Sequence, residues 1–142
     1  MGFRERLKGM LIRHEGLRLK PYRDSVGKLT IGVGRNLDDI GISEDEAFYL
    51  LENDIRRAEE TAAECAALYG VVFESLPEDA RLVLVNMAFN LGYRIGGFKK
   101  MFAALKAGDY EEAAREMLDS RWARQVGERA RELSEIMKNI GR

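Results

Sequence analysis

The sequence is poor in the two residue types that most often build metal and covalent centres. Among its 142 residues it has one cysteine, Cys65, and one histidine, His14. A single cysteine excludes an internal disulfide and a cysteine zinc site, and it fits a reducing cytoplasm. One imidazole argues against a histidine-rich metal site and against a Ser-His-Asp triad built elsewhere in the chain. We therefore expect neither a metal ion nor another cofactor.

Long apolar runs and a strong net charge are missing as well. No run approaches the roughly 18 apolar residues of a membrane span, and the N-terminal stretch MGFRERLKGMLIRHEG carries charge throughout. We therefore expect a protein made in the cytoplasm, with no export signal and no stable membrane insertion. The net charge is −1, although residues 1–42 hold nine basic and five acidic side chains. This local excess suits an anionic partner, whereas the overall balance argues against nonspecific nucleic-acid binding.

Apolar spacing and turn residues divide the first 42 residues into a helix and a β-ribbon. Hydrophobic residues at helical spacing predict a helix over residues 3–14 that stops at Gly16. Pro21 and the alternating stretch KLTIGV predict strands, and RDSVGK between them supplies a turn. The whole chain is 46% hydrophobic and 33% charged, which is typical of a soluble globular domain.

The rest of the chain carries helical patterns. Ser43 and Glu46 form a possible capping box at the start of a helix of over twenty residues. An almost wholly apolar helix follows Pro77, and three more helical segments follow it, the last with a stripe from residue 126 to residue 140. Cys65 and four methionines are predicted to lie in the core, the methionines being Met87, Met101, Met117 and Met137.

These elements predict an α+β, mostly α, fold in a single domain. A small N-terminal α+β lobe with the β-ribbon covers residues 1–42, a connecting helix covers 43–69, and a larger helical lobe covers 70–142. A cleft between the two lobes is the expected place for a ligand.

Two carboxylates in the first lobe suggest acid–base chemistry. Glu15 lies at the end of the first helix, where the negative end of the helix dipole disfavours its ionised form by roughly 0.3–1 kcal/mol. Asp24 lies in the turn of the ribbon, and Thr30 lies in the returning strand. Two carboxyl groups in different environments can cleave a glycosidic bond, one as acid and the other as base or nucleophile, while a hydroxyl holds a water molecule. Spacing alone also allows Glu15 to be a surface acid, Asp24 an ordinary turn residue and Thr30 an ordinary strand residue.

A longer pattern around these three residues resembles a known family. The stretch HEGLRLKPYRDSVGKLTIGVG is similar to the signature of the phage-type lysozymes, the T-even phage endolysin family, and Glu15, Asp24 and Thr30 keep its spacing. The resemblance continues through ISEDEA, NMAFNLG, GGF, EEAA and SRW, followed by Arg129. It covers almost the whole chain and implies a lysozyme-like fold.

The resemblance implies a muramidase that hydrolyses the β-1,4 bond between N-acetylmuramic acid and N-acetylglucosamine in peptidoglycan. Glu15 would be the general acid, Asp24 the base or charge stabiliser for an attacking water, and Thr30 the group that positions this water. Members of this type invert the sugar configuration, which predicts carboxyl groups roughly 6.5–9.5 Å apart.

The same resemblance extends to further residues. It implies that Phe89 and Asn90 contact sugar and that Arg129 pairs with the catalytic glutamate and links the lobes. Three other predicted sugar-contact positions differ in residue type from the T-even member. They are Asn36, Met101 and Glu116.

Other function classes are alternatives to this interpretation. A noncatalytic peptidoglycan-binding module on the same fold is the main alternative, although the intact Glu15, Asp24 and Thr30 argue against it. A lytic transglycosylase is the nearest chemical rival, and no motif supports a nucleic-acid or protein-interaction domain. The resemblance implies peptidoglycan glycan strands as the partner, a monomer, and release from the producing cell's cytoplasm by a holin.

Overall fold

The computed structural model describes residues 2–142 and confirms the α+β, mostly helical class. The chain divides into two compact units, one ending at Tyr49 and the other beginning at Leu50. Among residues 2–142, no helix combines the length and the apolar character needed to cross a bilayer.

The first unit consists of one helix, a three-stranded sheet and the start of a second helix. The elements are α1 (Phe3–Glu15), β1 (Arg18–Arg23), β2 (Leu29–Gly32) and β3 (Arg35–Asn36). Helix α1 ends where predicted, because Gly16 adopts a φ of +80° and its N–H bonds to the carbonyl of Ile12. The sheet is antiparallel in the order β1-β2-β3, with Thr30 opposite Tyr22 on one side and Asn36 on the other.

Helix α2 (Glu44–Ala67) begins with the predicted capping box. The Ser43 hydroxyl accepts from the N–H of Glu46 at 3.1 Å, and the Glu46 carboxylate accepts from the N–H of Ser43 at 2.8 Å. These two bonds satisfy backbone donors that the first turn of a helix leaves free. The helix has 24 residues, which confirms the predicted length of over twenty.

The second unit is helical and holds the main hydrophobic core. After α2, its helices are α3 (Glu78–Leu91), α4 (Lys99–Lys106), α5 (Tyr110–Leu118), α6 (Arg121–Val126) and α7 (Glu128–Lys138). Helix α5 packs against α4 and α7, and α3 also packs against α7. Cys65 and the four methionines predicted to lie in the core are all buried, which confirms that prediction.

Two local details depart from the sequence predictions. The last apolar stripe is not one helix, because Gly127 adopts a φ of +55° and separates α6 from α7, and Ile140 lies beyond the end of α7 at Lys138. The helix predicted from Pro77 begins one residue later, at Glu78. Proline at this boundary suits a helix start, since its missing N–H would have no partner there.

Candidate active site

Glu15 is the last residue of α1, and its side chain is exposed. The chain leaves the helix at Gly16 and enters β1 two residues later. This short connection places the glutamate beside the sheet, where its carboxyl group lies against the backbone of Gly34. The position at a helix end that the sequence predicted is therefore confirmed.

Asp24 closes the turn between β1 and β2. Its Oδ1 accepts hydrogen bonds from the N–H groups of Val26 at 3.0 Å and Lys28 at 2.8 Å. Its backbone adds two bonds, from its N–H to the carbonyl of Lys28 and from the N–H of Gly27 to its own carbonyl. Among residues 2–142, its Oδ2 accepts no hydrogen bond, so the turn holds one carboxylate oxygen and not the other.

Thr30 lies in the middle strand of the sheet and is 3% exposed. Its hydroxyl donates a hydrogen bond to the carbonyl of Lys28 at 2.9 Å. Because a hydroxyl has one proton and two lone pairs, this bond leaves the oxygen of Thr30 as an acceptor. A water molecule beside Thr30 would therefore donate to it.

Lys28 connects the two residues, and the sequence reasoning missed it. Its N–H holds the carboxylate of Asp24, its carbonyl accepts from Thr30, and its ammonium group pairs with Asp39 at 3.2 Å. That ion pair, followed by the amide of Asn36, lowers the pKa of Asp39. Two of these three functions use only the backbone, which explains why the residue type of Lys28 gave no signal.

A second ion pair fixes the start of α2 to β3. Arg35 donates to the carboxylate of Glu46 at 2.7 Å and to the carbonyl of Gly41 at 3.1 Å. The Arg35 guanidinium, followed by the N–H of Ser43, lowers the pKa of Glu46 from its ordinary 4.5 to about 2. Arg35 directly follows Gly34, so this pair holds the backbone that lies against Glu15.

Phe89 and Asn90 lie at the end of α3 in the second unit, and both are exposed. Phe89 is 47% exposed and lines a pocket of about 570 Å³ together with Arg129. Asn90 accepts a hydrogen bond at 2.8 Å from the indole N–H of Trp122, a residue that is 4% exposed. An exposed ring face and an amide are groups that suit a saccharide.

Arg129 is half-buried and joins α7 to α3. Its Nε donates to the side-chain oxygen of Asn86 at 2.9 Å, and one Nη donates to the Asn86 carbonyl at 3.2 Å. Asn86 interrupts the apolar surface of α3, and the hydrogen bond from Arg129 gives the side chain of Asn86 a partner. The pattern NMAFN carried a signal for Asn86, since an amide in an apolar helix needs a hydrogen bond.

The other three predicted sugar-contact residues lie in different settings. Asn36 uses its amide to bond with Asp39. Glu116 lines a pocket of about 360 Å³ that Met101 also borders. The side chain of Met101 is 0% exposed, however, because it belongs to the hydrophobic core. A core methionine offers no surface to a saccharide, and we do not include Met101 among the proposed sugar contacts.

A sequence model of one family, phage lysozyme, matches residues 12–137. The chain belongs to the phage lysozyme family. The matched range includes every site residue named above. Family membership confirms the lysozyme-like fold class and gives the chain a lysozyme-type function, that of a glycoside hydrolase, with peptidoglycan as the implied substrate.

The chain is also similar to three curated relatives. The chain is 30% identical to an SAR-endolysin of Escherichia phage Mu, covering 89% of this chain and 71% of the relative. It is 25% identical to a probable T4-type lysozyme of Dictyostelium discoideum over 93% of each chain. It is also 31% identical to the pre-baseplate central spike protein Gp5 of Enterobacteria phage T4 over 90% of this chain. The match spans 27% of that spike protein's length.

Metal-ligating side chains do not cluster in the described part of the chain. Among residues 2–142, no group of three or more His, Cys, Asp or Glu side chains is arranged to hold a metal ion.

Proposed function

We propose that this phage lysozyme family member is an N-acetylmuramidase. It hydrolyses the β-1,4 bond between N-acetylmuramic acid and N-acetylglucosamine in peptidoglycan, with inversion at the anomeric carbon. Glu15 is the general acid, Asp24 is the base or charge stabiliser, and Thr30 positions the attacking water.

The observation that carries this proposal is the shared anchoring of Asp24 and Thr30 on Lys28. The backbone of Lys28 holds Oδ1 of Asp24 through its N–H and the hydroxyl of Thr30 through its carbonyl. Each side chain therefore keeps a free acceptor, Oδ2 on Asp24 and the hydroxyl oxygen on Thr30. A water molecule that donates one hydrogen bond to each acceptor keeps a lone pair free to attack the anomeric carbon.

Glu15 supplies the second half of the reaction. As the glycosidic bond breaks, its carboxyl proton moves to the leaving oxygen, while the water oxygen bonds to the anomeric carbon. The water's proton moves to Asp24 where that residue is the base, and to a solvent water molecule where it is the charge stabiliser. This single displacement requires room for water between the two carboxyl groups, and the proposal includes a gap of roughly 6.5–9.5 Å.

Several residues are proposed to support binding. Phe89 offers a ring face to the sugar, and Asn90 offers its amide N–H groups, because its oxygen is already bonded to Trp122. Asn36 and Glu116 are further sugar contacts in this proposal. Arg129 has a supporting function through Asn86. The protein acts as a monomer on glycan strands, after holin-type release from the cytoplasm of the producing cell.

The first experiment compares Glu15→Gln with the parent protein. Purified peptidoglycan is the substrate, released reducing ends are the readout, and circular dichroism checks that each variant folds. Glu5→Gln is the matched control, because Glu5 is an exposed acid on the same helix and pairs with Lys8 at 3.4 Å. We expect Glu15→Gln to lose activity about 10²–10⁴-fold and Glu5→Gln to keep it.

The products distinguish the rival reactions. An inverting muramidase first releases a hydrolysis product whose new reducing end has the α configuration. Proton NMR detects this anomer before mutarotation. Fragments ending in anhydromuramic acid would indicate a lytic transglycosylase. A folded parent that binds peptidoglycan but releases no reducing ends would indicate the noncatalytic module and would contradict the proposed chemistry.

A further inference from the structure

We infer that Gly34 is a positioning residue for Glu15, because its missing side chain leaves the space in which the glutamate carboxyl group lies. This inference rests on the proposed function of Glu15 as the general acid. Gly34 lies between β2 and β3 and is not one of the predicted site residues.

The contact involves the functional end of the glutamate. A Cβ atom built on Gly34 would lie 3.0 Å from Oε2, 3.1 Å from Cδ and 3.1 Å from Cγ of Glu15. Carbon atoms pack favourably at about 3.5–4.0 Å, so the two carbon atoms, and the carboxyl group with them, would have to shift by a few tenths of an ångström. Since the carboxyl carbon is among them, rotation of the terminal oxygen alone does not relieve the contact.

Gly32 provides a comparison within the same ribbon. It has a φ of +71°, close to the +67° of Gly34, but a Cβ atom at Gly32 would meet nothing within 4 Å. Both glycines thus relieve the same kind of backbone strain, which L-residues with a side chain experience at positive φ. Only Gly34 also leaves space for a proposed catalytic side chain.

The position of Gly34 explains why this contact matters for chemistry. Gly34 follows the strand that carries Thr30, and the next residue, Arg35, is held by the ion pair to Glu46. The acid therefore rests on the same ribbon that anchors Thr30 and, through Lys28, Asp24. Contact with Gly34 fixes the proton donor relative to the groups that hold the water.

The test compares Gly34→Ala with Gly32→Ala, with peptidoglycan as the substrate. We expect kcat of Gly34→Ala to fall several-fold, because the glutamate must shift by a few tenths of an ångström, which is less than the displacement of about 1 Å that costs a catalytic group about 100-fold. KM should change less than about twofold, because substrate contacts remain. The pH dependence of kcat should also change in Gly34→Ala, whereas Gly32→Ala should keep the parent profile. The loss in thermal unfolding temperature measures the backbone strain that alanine experiences at positive φ in both variants.

A second pair of variants removes the effect of backbone strain. Asparagine adopts positive φ more readily than alanine does, yet it has a Cβ atom. We expect Gly34→Asn to fold with low kcat and Gly32→Asn to fold with kcat near that of the parent. This pair keeps the test decisive if Gly34→Ala fails to fold.

The outcomes separate the two proposals. If Glu15→Gln is inactive but both Gly34 variants are as active as their Gly32 counterparts, the positioning function of Gly34 is wrong and the acid function of Glu15 stands. If Glu15→Gln keeps the activity of the parent, the proposed function is wrong, and the inference about Gly34 is wrong with it.

Discussion

The indole N–H of Trp122 donates a hydrogen bond of 2.8 Å to the side-chain oxygen of Asn90. Because an indole nitrogen can only donate, the oxygen of the Asn90 amide must face Trp122 and its NH₂ group must face away. The ring of Trp122 is buried and packs edge-on against Phe98, so the direction of the Asn90 amide is set from the core.

Trp122→Phe removes this hydrogen bond and keeps an aromatic ring against Phe98. We expect the free energy of unfolding to fall by about 1–2 kcal/mol, from the lost bond and the smaller ring. KM for peptidoglycan should rise with little change in kcat, because the Asn90 amide is then free to turn. Urea denaturation and steady-state kinetics measure the two effects.

A double-mutant cycle with Asn90→Ala tests whether the hydrogen bond is responsible. If it is, Trp122→Phe should raise KM less in the Asn90→Ala background than in the parent, with a coupling energy of about 0.5–1.5 kcal/mol. Equal effects in both backgrounds would mean that Trp122 acts through packing alone.

Arg129→Lys is expected to weaken the connection between α3 and α7. A lysine cannot reproduce two donors in the fixed geometry that Nε and Nη present to Asn86. We expect a loss of about 1–2 kcal/mol in the free energy of unfolding, as for hydrogen bonds to a charged group that is partly exposed. Arg124→Lys on the exposed surface of α6 is the control and should change stability by less than about 0.5 kcal/mol. Similar losses in the two variants would contradict a stabilising function of the hydrogen bonds from Arg129 to Asn86.

The boundaries of the first elements were predictable because local residues decide them. Gly16 ends α1, the turn around Asp24 separates two strands, and the Ser43–Glu46 box starts α2. Each of these features depends on residues within four positions of one another, so a short stretch of sequence contains the whole cause.

The support of the candidate site was not predictable in the same way. Gly34 contacts Glu15 across 19 positions of sequence, and Trp122 reaches Asn90 across 32. Lys28 acts through its backbone, which its side chain does not reveal. The sequence pattern predicts Met101 in the core and the family resemblance predicts it in contact with sugar, and its burial favours the core. Such relationships depend on tertiary packing.

The low pKa of Glu46 predicts an acid-sensitive contribution to stability. Its pKa is about 2 in the folded protein, lowered first by the hydrogen bond from Arg35. A carboxyl group with a depressed pKa stabilises the fold at pH values above its ordinary pKa of 4.5, and this contribution is lost as the pH falls towards 2. We expect the parent to lose stability between pH 5 and pH 2 more steeply than Glu46→Gln, as measured by urea denaturation across this range.

Glu44→Gln is the control for the pH experiment. Glu44 is exposed in the same first turn of α2 and therefore experiences a similar helix dipole, but Arg35 pairs with Glu46. We expect the free energy of unfolding of Glu44→Gln to fall with pH as steeply as that of the parent. A slope for Glu46→Gln equal to that of the parent would show that the ion pair does not contribute to the pH dependence.

Cys65 is expected to resist thiol reagents in the folded protein. It is 2% exposed, and burial raises the pKa of its thiol above the usual 9.0, so the reactive thiolate is scarce at neutral pH. Labelling with a chromogenic disulfide reagent at pH 7.5 should be slow in buffer and rapid in denaturing urea. Rapid labelling of the native protein would contradict the buried position of Cys65.

Asp24→Asn separates the charge of Asp24 from its function in the turn. An asparagine oxygen can accept the same hydrogen bonds from Val26 and Lys28, so we expect the free energy of unfolding to change by less than about 0.5 kcal/mol. Activity on peptidoglycan should nevertheless fall by about 10²–10⁴-fold, since the amide cannot act as a base.

Asp24→Ala removes both the charge and the acceptor, and it is expected to cost about 1 kcal/mol of stability in addition to the activity. Urea denaturation and release of reducing ends distinguish the two variants. If Asp24→Asn is stable and fully active while Asp24→Ala loses both properties together, Asp24 is a turn residue only. The carboxylate is required for hydrolysis if the stable asparagine variant is inactive, because the turn is then intact and only the charge has been removed.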